Sequence, residues 1–280
     1  VFQLVAGSAS EIGKELLKNP TCRKISFTGS TEVGRSLIQG AADTCTELSL
    51  ELGGNAPVIV FDDADLDQAV EGILITKFRN NGQSCIAANR IYIQEGIYDR
   101  LVAVLSEKIK KLKVGDGLGD GVDIGPLIDE RALSTSLSFI DEAVDAGAQV
   151  LAGGSRFGEE GNFLGPTLLT EVPEHVRCHQ QEIFAPIAAL YRFKDEEQVL
   201  ITANDTEFGL AAYAFTTDLN RAFRVAETLE AGTVGINDPV PPTSNCPFGG
   251  FKQSGWGREL GSEGIDAYLE TKHISIAGIS

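Results

Sequence analysis

Methionine is absent from all 280 residues, position 1 included. The chain opens at Val1 in what reads as a strand or turn leading into a helix, which suggests a removed initiator or an internal piece of a longer chain. No apolar run approaches the roughly 18 residues that a membrane span needs. The opening VFQLVAGSASEIGK has no basic stretch followed by an apolar block, so no secretory leader is expected there. Positive charge is scarce: 23 Lys and Arg stand against 40 Asp and Glu, a net charge of −17. That balance argues against non-specific binding to nucleic acid or to an anionic membrane surface. CxxC does not occur, and the five cysteines (Cys22, Cys45, Cys85, Cys178 and Cys246) are odd in number and widely spaced. Such usage fits reduced thiols better than a disulfide framework.

The composition, 42% apolar and 22% charged, is that of an ordinary globular protein, long enough for one large or two ordinary domains. No repeat or low-complexity tract interrupts it. KISF (24–27) reads as a buried strand and TEVGRSLIQGAA as the helix after it. LSLEL and APVIVF read as strands. Leu66, Ala69, Val70, Ile73, Leu74 and Phe78 fall on one face of a helix. RIYIQ (90–94) reads as a strand, followed by helices over 97–112 and 128–147. The alternation resumes with a helix at 195–204, a strand at 211–216, a helix at 218–230 and a strand at 233–236. Strands separated by helices of this length imply βαβ units and a mostly parallel sheet. The Pro-, Gly- and Ser-rich segment 238–257 reads as a long ordered loop, and YLETKHISI near the end as an edge strand.

Four stretches contain the residue types that chemistry needs. In FTGSTEVGR (27–35) a strand runs through Gly29 and Ser30 into a helix, and backbone N–H groups at a helix start suit a phosphate. The same pattern also serves as an ordinary N-capped βα turn. In LELGGNAP (50–57) Glu51 ends an apolar strand beside Gly53 and Gly54, where a ligand can approach the backbone closely. A strand-ending turn with Glu51 in solvent is the alternative. In NGQSC (81–85) the glycine turn places Cys85 on a loop, where a thiol near a base is nucleophilic; a small buried residue is the alternative. HVRCH (175–179) offers His175, Cys178 and His179 in a metal-like spacing, but no fourth ligand is in view and Pro173 precedes it, so no metal is expected.

LELGGNAP resembles the glutamate signature of the NAD(P)-dependent aldehyde dehydrogenases, and FRNNGQSCIAANR their cysteine signature, with the two reactive residues 34 positions apart. HQQEIFAP (179–186), PFGGFKQSGWGRELG (247–261) and FTGSTEVG resemble three further motifs of that family, in order along nearly the whole chain. The resemblance implies an α/β fold: the end of a Rossmann-type cofactor domain (1–53), an α/β catalytic domain (54–253), and a return segment with an oligomerisation strand (254–280). It implies NAD or NADP as cofactor, a small-molecule aldehyde as substrate and a homo-oligomer, dimer or tetramer, in the cytoplasm or a mitochondrion.

Carried onto this sequence, the resemblance makes Cys85 the nucleophile that forms a thiohemiacetal. Hydride transfer then leaves a thioester, and Glu51 activates the water that hydrolyses it. Gly29, Ser30 and Val33 would lie along the cofactor's pyrophosphate and adenosine, and Leu52 and Gly53 beside the nicotinamide. Glu182 would bind ribose hydroxyls, with Phe184 packed against ribose and ring. The Cys85 backbone N–H would form half of an oxyanion hole. Residues 247–259 would brace the loop beside the substrate channel. Ala185 stands where the family usually has glycine, and Gln181 where many members have glutamate. Family members are longer, with most of the cofactor domain before the phosphate turn. The chain alone is therefore expected to bind cofactor poorly and to be nearly inactive.

INDPVPPTSNCPFGG and YLETKHISI resemble the succinate-semialdehyde dehydrogenase branch. Thr243 or Ser244 would then meet the substrate carboxylate, with the pairing arginine expected upstream of Val1. Ala87 replaces the second cysteine that often follows the nucleophile in that branch. Two alternatives stand beside this reading: a non-catalytic remnant that keeps only fold and assembly, and a cofactor-independent thiol hydrolase. The latter usually needs a histidine base, and none of the three histidines lies in a motif suited to that role.

Overall fold

The structure is a computed structural model and describes residues 2–278. Along the chain, α1 (Ala9–Lys18) precedes β1 (Lys24–Thr28), α2 (Thr31–Ala41) and β2 (Glu47–Glu51). Next come β3 (Ala56–Val60), α3 (Leu66–Phe78), a short 3-10 turn (Arg79–Gly82), β4 (Ala88–Gln94) and α4 (Glu95–Ile109). α5 (Glu130–Asp145), β5 (Gln149–Ala152), β6 (Thr167–Thr170), α6 (Arg177–Gln180) and β7 (Ile187–Phe193) follow. The last part holds α7 (Glu196–Asn204), β8 (Phe208–Gly209), β9 (Ala211–Phe215), α8 (Leu219–Thr228) and β10 (Thr233–Ile236). It closes with β11 (Phe251–Lys252), β12 (Gly255–Trp256) and α9 (Gly261–Asp266).

Many helices start from one device. An aspartate just before α3, α5, α7 and α8 accepts a hydrogen bond from the backbone N–H three residues on, at 2.7–3.0 Å. Each such cap stabilises by about 1 kcal/mol and favours the anion at the positive helix end. Part of the acidic excess is therefore capping rather than idle surface charge.

Seven strands form the main sheet in the order β10-β9-β3-β4-β7-β6-β5, parallel throughout except for the β5–β6 pair. β3, β9 and β6 are buried at every residue, as strands covered on both faces must be. Two large apolar clusters pack against this sheet, one around Ile59, Phe61, Leu169 and Ala189, the other around Val58, Ile73, Ile91 and Leu190. Fully burying such a side chain stabilises by about 1.5–3 kcal/mol. A second, three-stranded sheet runs β1-β2-β12, with β1 and β2 parallel and β12 antiparallel to β2. Its core is thin: Leu37, Leu50 and Leu52.

Three expectations need correction. KISF is a strand, but of β1 only Ile25 is buried, because β1 lies at the sheet's edge. YLETKHISI is not a strand: residues 267–278 form neither helix nor strand, and residues 279–280 lie outside the described ones. The loop at 238–257 contains the short strands β11 and β12, which lock it onto β8 and β2. On the helix at 66–78, Ala69, Val70, Ile73 and Phe78 are buried as the spacing requires, while Leu66 and Leu74 are half-buried.

Candidate active site

The C-terminal ends of β1 and β2, the turn between α3 and β4, and the loop before β7 line one cleft of about 600 Å³. Gly29, Ser30, Glu51, Leu52, Gly53, Cys85, Glu182 and Phe184 all face it. Val33 does not: it is exposed on α2, its N–H given to the Ser30 hydroxyl that caps the helix. Thr243 and Ser244 are exposed on the loop before β11 and are also outside the cleft wall.

Local backbone rules place Cys85. Asn80, Asn81 and Gly82 take left-handed φ values of 52°, 58° and 68° in succession, which turns the chain sharply after α3. Gly82 has no room for a side chain, since a Cβ there would sit 2.3 Å from the Ala185 carbonyl oxygen. Asn81 ties the turn to 125–126, donating to the Pro126 carbonyl and accepting from the Gly125 N–H. The Gln83 side chain accepts from the Ile128 N–H at 3.0 Å. Gly54 passes so near Cys85 that a Cβ would lie 2.2 Å from the Cys85 carbonyl oxygen. The thiol end of one wall and the LELGG end of the other thus meet across glycine.

The electrostatics are those of three acids in a dry place. Glu51 is almost fully buried, and its Oε2 has no hydrogen-bond partner. Burial, with Glu259 adding and Arg258 opposing, raises its pKa to about 8. Glu182 accepts from the Gly54 N–H at 3.0 Å, yet burial still raises it to about 7. Cys85 is pushed up to about 11 by burial and then by the two carboxylates, Glu182 and Glu51. Burial thus favours the protonated, neutral form of all three groups.

β2 is gripped from the far side. The Ser254 hydroxyl donates to the Gly53 carbonyl at 2.7 Å and accepts from the Gly209 N–H, while Leu52 N–H donates to the Ser254 carbonyl. Gly255, at φ 141°, pairs with Glu51, where a Cβ would be 1.9 Å from the Leu50 carbonyl oxygen. Glu182 is held by a buried amide. Asn89 accepts from the Ile183 N–H at 2.8 Å and donates to the Gln181 carbonyl and to Asn55. His179 is spent inside the fold, with its Nε2 2.9 Å from the Tyr92 hydroxyl, and burial lowers its pKa to about 4. No group of three or more His, Cys, Asp or Glu side chains suited to a metal occurs among the described residues.

The family model for the aldehyde dehydrogenase family matches residues 1–274. The chain belongs to the aldehyde dehydrogenase family. It is 54% identical over 276 residues to the succinate-semialdehyde dehydrogenase [NADP(+)] GabD of Escherichia coli, covering 99% of this chain and 57% of that protein. It is 52% identical over 277 residues to the glutarate-semialdehyde dehydrogenase of Pseudomonas putida, covering 99% and 57%. The crystal structure of an E. coli NADP-dependent enzyme superposes with a TM-score of 0.94 at 54% identity, covering 95% of this chain and 55% of that one. The chain thus spans a little over half the length of the relatives it matches.

The wall also holds residues that the motifs contain but to which motif reading gave no role: Thr28, Arg79, Asn80, Gln83 and Ser84. Arg79 is its one cationic side chain among the described residues. For Arg79, Asn80, Gln83 and Ser84 a signal was present, as a run of polar residues between an apolar helix and a cysteine. Lys77 was also missed. It is fully buried behind the turn, donates to the Ala88 carbonyl at 2.8 Å, and is lowered by burial to about 7. Ala185, the departure from the family glycine, is completely buried in one of the two large clusters.

Proposed function

We propose that this chain supplies the nucleophile and the water-activating base of an NAD(P)-dependent semialdehyde dehydrogenase. The observation that carries the reading is one cleft lined by Cys85, Glu51 and Arg79 together. The substrate class is an aldehyde with a remote carboxylate, succinate semialdehyde first, as in the name of the E. coli relative. Arg79 is the residue we assign to that carboxylate, in place of Thr243 and Ser244. NADP is favoured by the same relative's name, and NAD is the alternative.

A dinucleotide fits what is present. Ser30 caps α2 through Val33, which leaves the first-turn N–H groups of Thr31 and Glu32 for phosphate oxygens. A Cβ on Gly53 would stand 3.0 Å from Glu182 Oε2, so glycine keeps that strip of backbone open beside the carboxylate. Glu182 would take ribose hydroxyls and Phe184 would cover the ring side. When bound, the nicotinamide accepts the hydride that leaves the substrate carbon.

The chain's own residues do the rest. The Cys85 sulfur adds to the aldehyde carbon, and its proton passes to a base in the cleft. Glu51, raised to about 8, is close to balanced between base and acid at physiological pH. The oxygen that gains charge meets the Cys85 backbone N–H. After oxidation, Glu51 removes a proton from water, which cleaves the thioester and frees the thiol. We assign 1–53 to the end of the cofactor domain, 54–253 to the catalytic domain and 254–280 to the return and assembly segment of a homo-oligomer. Exposed Leu269, Ile274 and Ile276 on the last segment support its role as an assembly surface.

The test joins the N-terminal region of the E. coli relative to this chain and follows NADP reduction with succinate semialdehyde. A kcat in the enzymic range, about 1–10³ s⁻¹, is expected. It should vanish in Cys85→Ser, and Arg79→Leu should raise KM for succinate semialdehyde but not for an uncharged aldehyde. A Cys85→Ser variant that keeps its rate would overturn the reading.

A further inference from the structure

α3 carries a lysine where its inner stripe calls for an apolar residue. Val70, Ile73 and Lys77 follow one another at helical spacing, and all three are buried. Lys77 is completely shut off from solvent, where a lone ammonium is strongly unfavourable. An ammonium has three N–H donors, yet among the described residues its one acceptor is the Ala88 carbonyl, at 2.8 Å. That bond joins the last turn of α3 to the first residue of β4 and so closes the segment 78–87, which carries Cys85. Ala88 adjoins Asn89, whose side chain accepts from the Ile183 N–H and donates to the Gln181 carbonyl. Both neighbours of Glu182 are therefore fixed to the same strand start. Gly82 is wedged between the two segments: a Cβ there would lie 2.9 Å from the Lys77 carbonyl oxygen and 2.3 Å from that of Ala185. The floor of the cleft is one knot of α3, β4 and the loop 181–185, with Lys77 sealed inside and Glu182 on its open side.

We propose that Lys77 is a positioning residue for cofactor binding, its buried ammonium being the counter-charge that keeps the Glu182 carboxylate ionised to accept ribose hydroxyls. This role rests on the ribose contact proposed for Glu182. An ionised carboxylate only accepts and can take two hydroxyls, whereas the protonated acid gives up one of those places to its own O–H. Burial raises Glu182 to about 7 against the Gly54 N–H and Lys77, which lower it, and Glu32 on α2 adds to the rise. Glu51, Cys85 and Arg79 line the same cleft. Lys77 is itself lowered by burial to about 7, and Glu182 is the charge that opposes this. Each of the two favours the charged form of the other, and such a coupling is reciprocal.

The test reads both groups in the chain itself by NMR, with glutamate carboxyl carbons and lysine side-chain carbons labelled with carbon-13. The Glu182 signal is the one lost in Glu182→Gln, and the Lys77 signal the one lost in Lys77→Arg. In Lys77→Met the Glu182 midpoint should rise by about one pH unit, and in Lys77→Arg, which keeps the charge, it should stay near the parent's. In Glu182→Gln the Lys77 midpoint should fall by about as much. In a chain of full family length, Lys77→Met should weaken NADP binding several-fold at pH 7 and leave it near the parent's at pH 9, where Glu182 is ionised in both.

An unmoved Lys77 midpoint in Glu182→Gln would overturn the proposal. That arm holds even where Lys77→Met fails to fold, since Glu182→Gln changes only a cleft-facing group. Binding weakened equally at pH 7 and pH 9 in Lys77→Met would make the lysine structural and overturn it as well. Failure of the ribose contact shows elsewhere: Glu182→Gln would then bind NADP as tightly as the parent at every pH, while the two midpoints still moved together. That result would remove the role of Glu182 and, with it, the role of Lys77.

Discussion

The cleft has two unlike walls. Cys85 leaves a turn bolted to 125–128 and then enters β4, a central strand of a seven-stranded sheet packed on both faces. Glu51 ends β2 in a three-stranded sheet whose own core is three leucines. The second wall is held in place by the chain's later return, through Ser254 and Gly255, more than by its own burial. Cys85, the proposed nucleophile, thus has a rigid, self-sufficient seat, and Glu51, the proposed base, has a borrowed one. The motif PFGGFKQSG, which contains no reactive group, is then as necessary to Glu51 as the strand that bears it.

The largest effect expected from breaking this contrast is chemical. In a chain of full family length, Glu51→Gln should lower kcat by about 10²–10⁴-fold through loss of general-base catalysis. It should also leave an acylated Cys85 that mass spectrometry can trap. The pH profile sharpens the point. Glu51 titrates near 8, so the hydrolytic rate should climb as pH rises through about 8, and the variant should lack that limb. The sign for stability is opposite. A carboxyl raised from 4.5 to about 8 favours the fold while protonated, so its contribution is lost as pH climbs through that window. A profile for Glu51→Gln with the same limb would remove Glu51 from the role.

Core truncations compare the walls directly. Ile59→Ala, in the completely buried β3, should cost about 2–5 kcal/mol by denaturant unfolding and give a single transition. Leu50→Ala, in the thin sheet, should sit at the low end of that range, because fewer neighbours lose contact. Gly255→Ala should approach the Ile59 cost although it adds one methyl, since its Cβ would collide with the Leu50 carbonyl. Equal costs for Leu50→Ala and Ile59→Ala would refute the asymmetry of the walls.

The sequence resolves the site better than the periphery, for a physical reason. Reactive groups, glycines at close approach and left-handed turns must be specific residues at specific spacings, so LELGG and NNGQSC are readable in one dimension. Strand content at 149–170 is not: β5 and β6 are four residues each, too short for periodicity to show. The tail YLETKHISI has an alternating pattern, but a strand requires a partner, and none of the described residues pairs with it. Val33 enters through its place in a motif; in the fold its side chain is exposed on α2 while its N–H serves the cap. Arg79 and Lys77 escaped because depth does not show in one dimension: one lines the cleft and the other is sealed under it.

The smallest perturbation is also the most selective. Ser254→Ala removes one hydroxyl that donates to the Gly53 carbonyl and accepts from the Gly209 N–H, both buried. Each orphaned group costs about 1–3 kcal/mol when no water replaces the partner, and the released strand relaxes part of that cost. The net loss should be about 1–3 kcal/mol, read as a lower urea midpoint with the slope unchanged. The consequence should fall on one wall only. Glu51 loses its register against Gly255, so thioester hydrolysis should slow, whereas alkylation of Cys85 by iodoacetamide should keep the parent rate, since its turn is anchored on the opposite side. If Cys85 alkylation changed as much as hydrolysis did, the two walls would be one mechanical unit and the borrowed seat of Glu51 would be wrong.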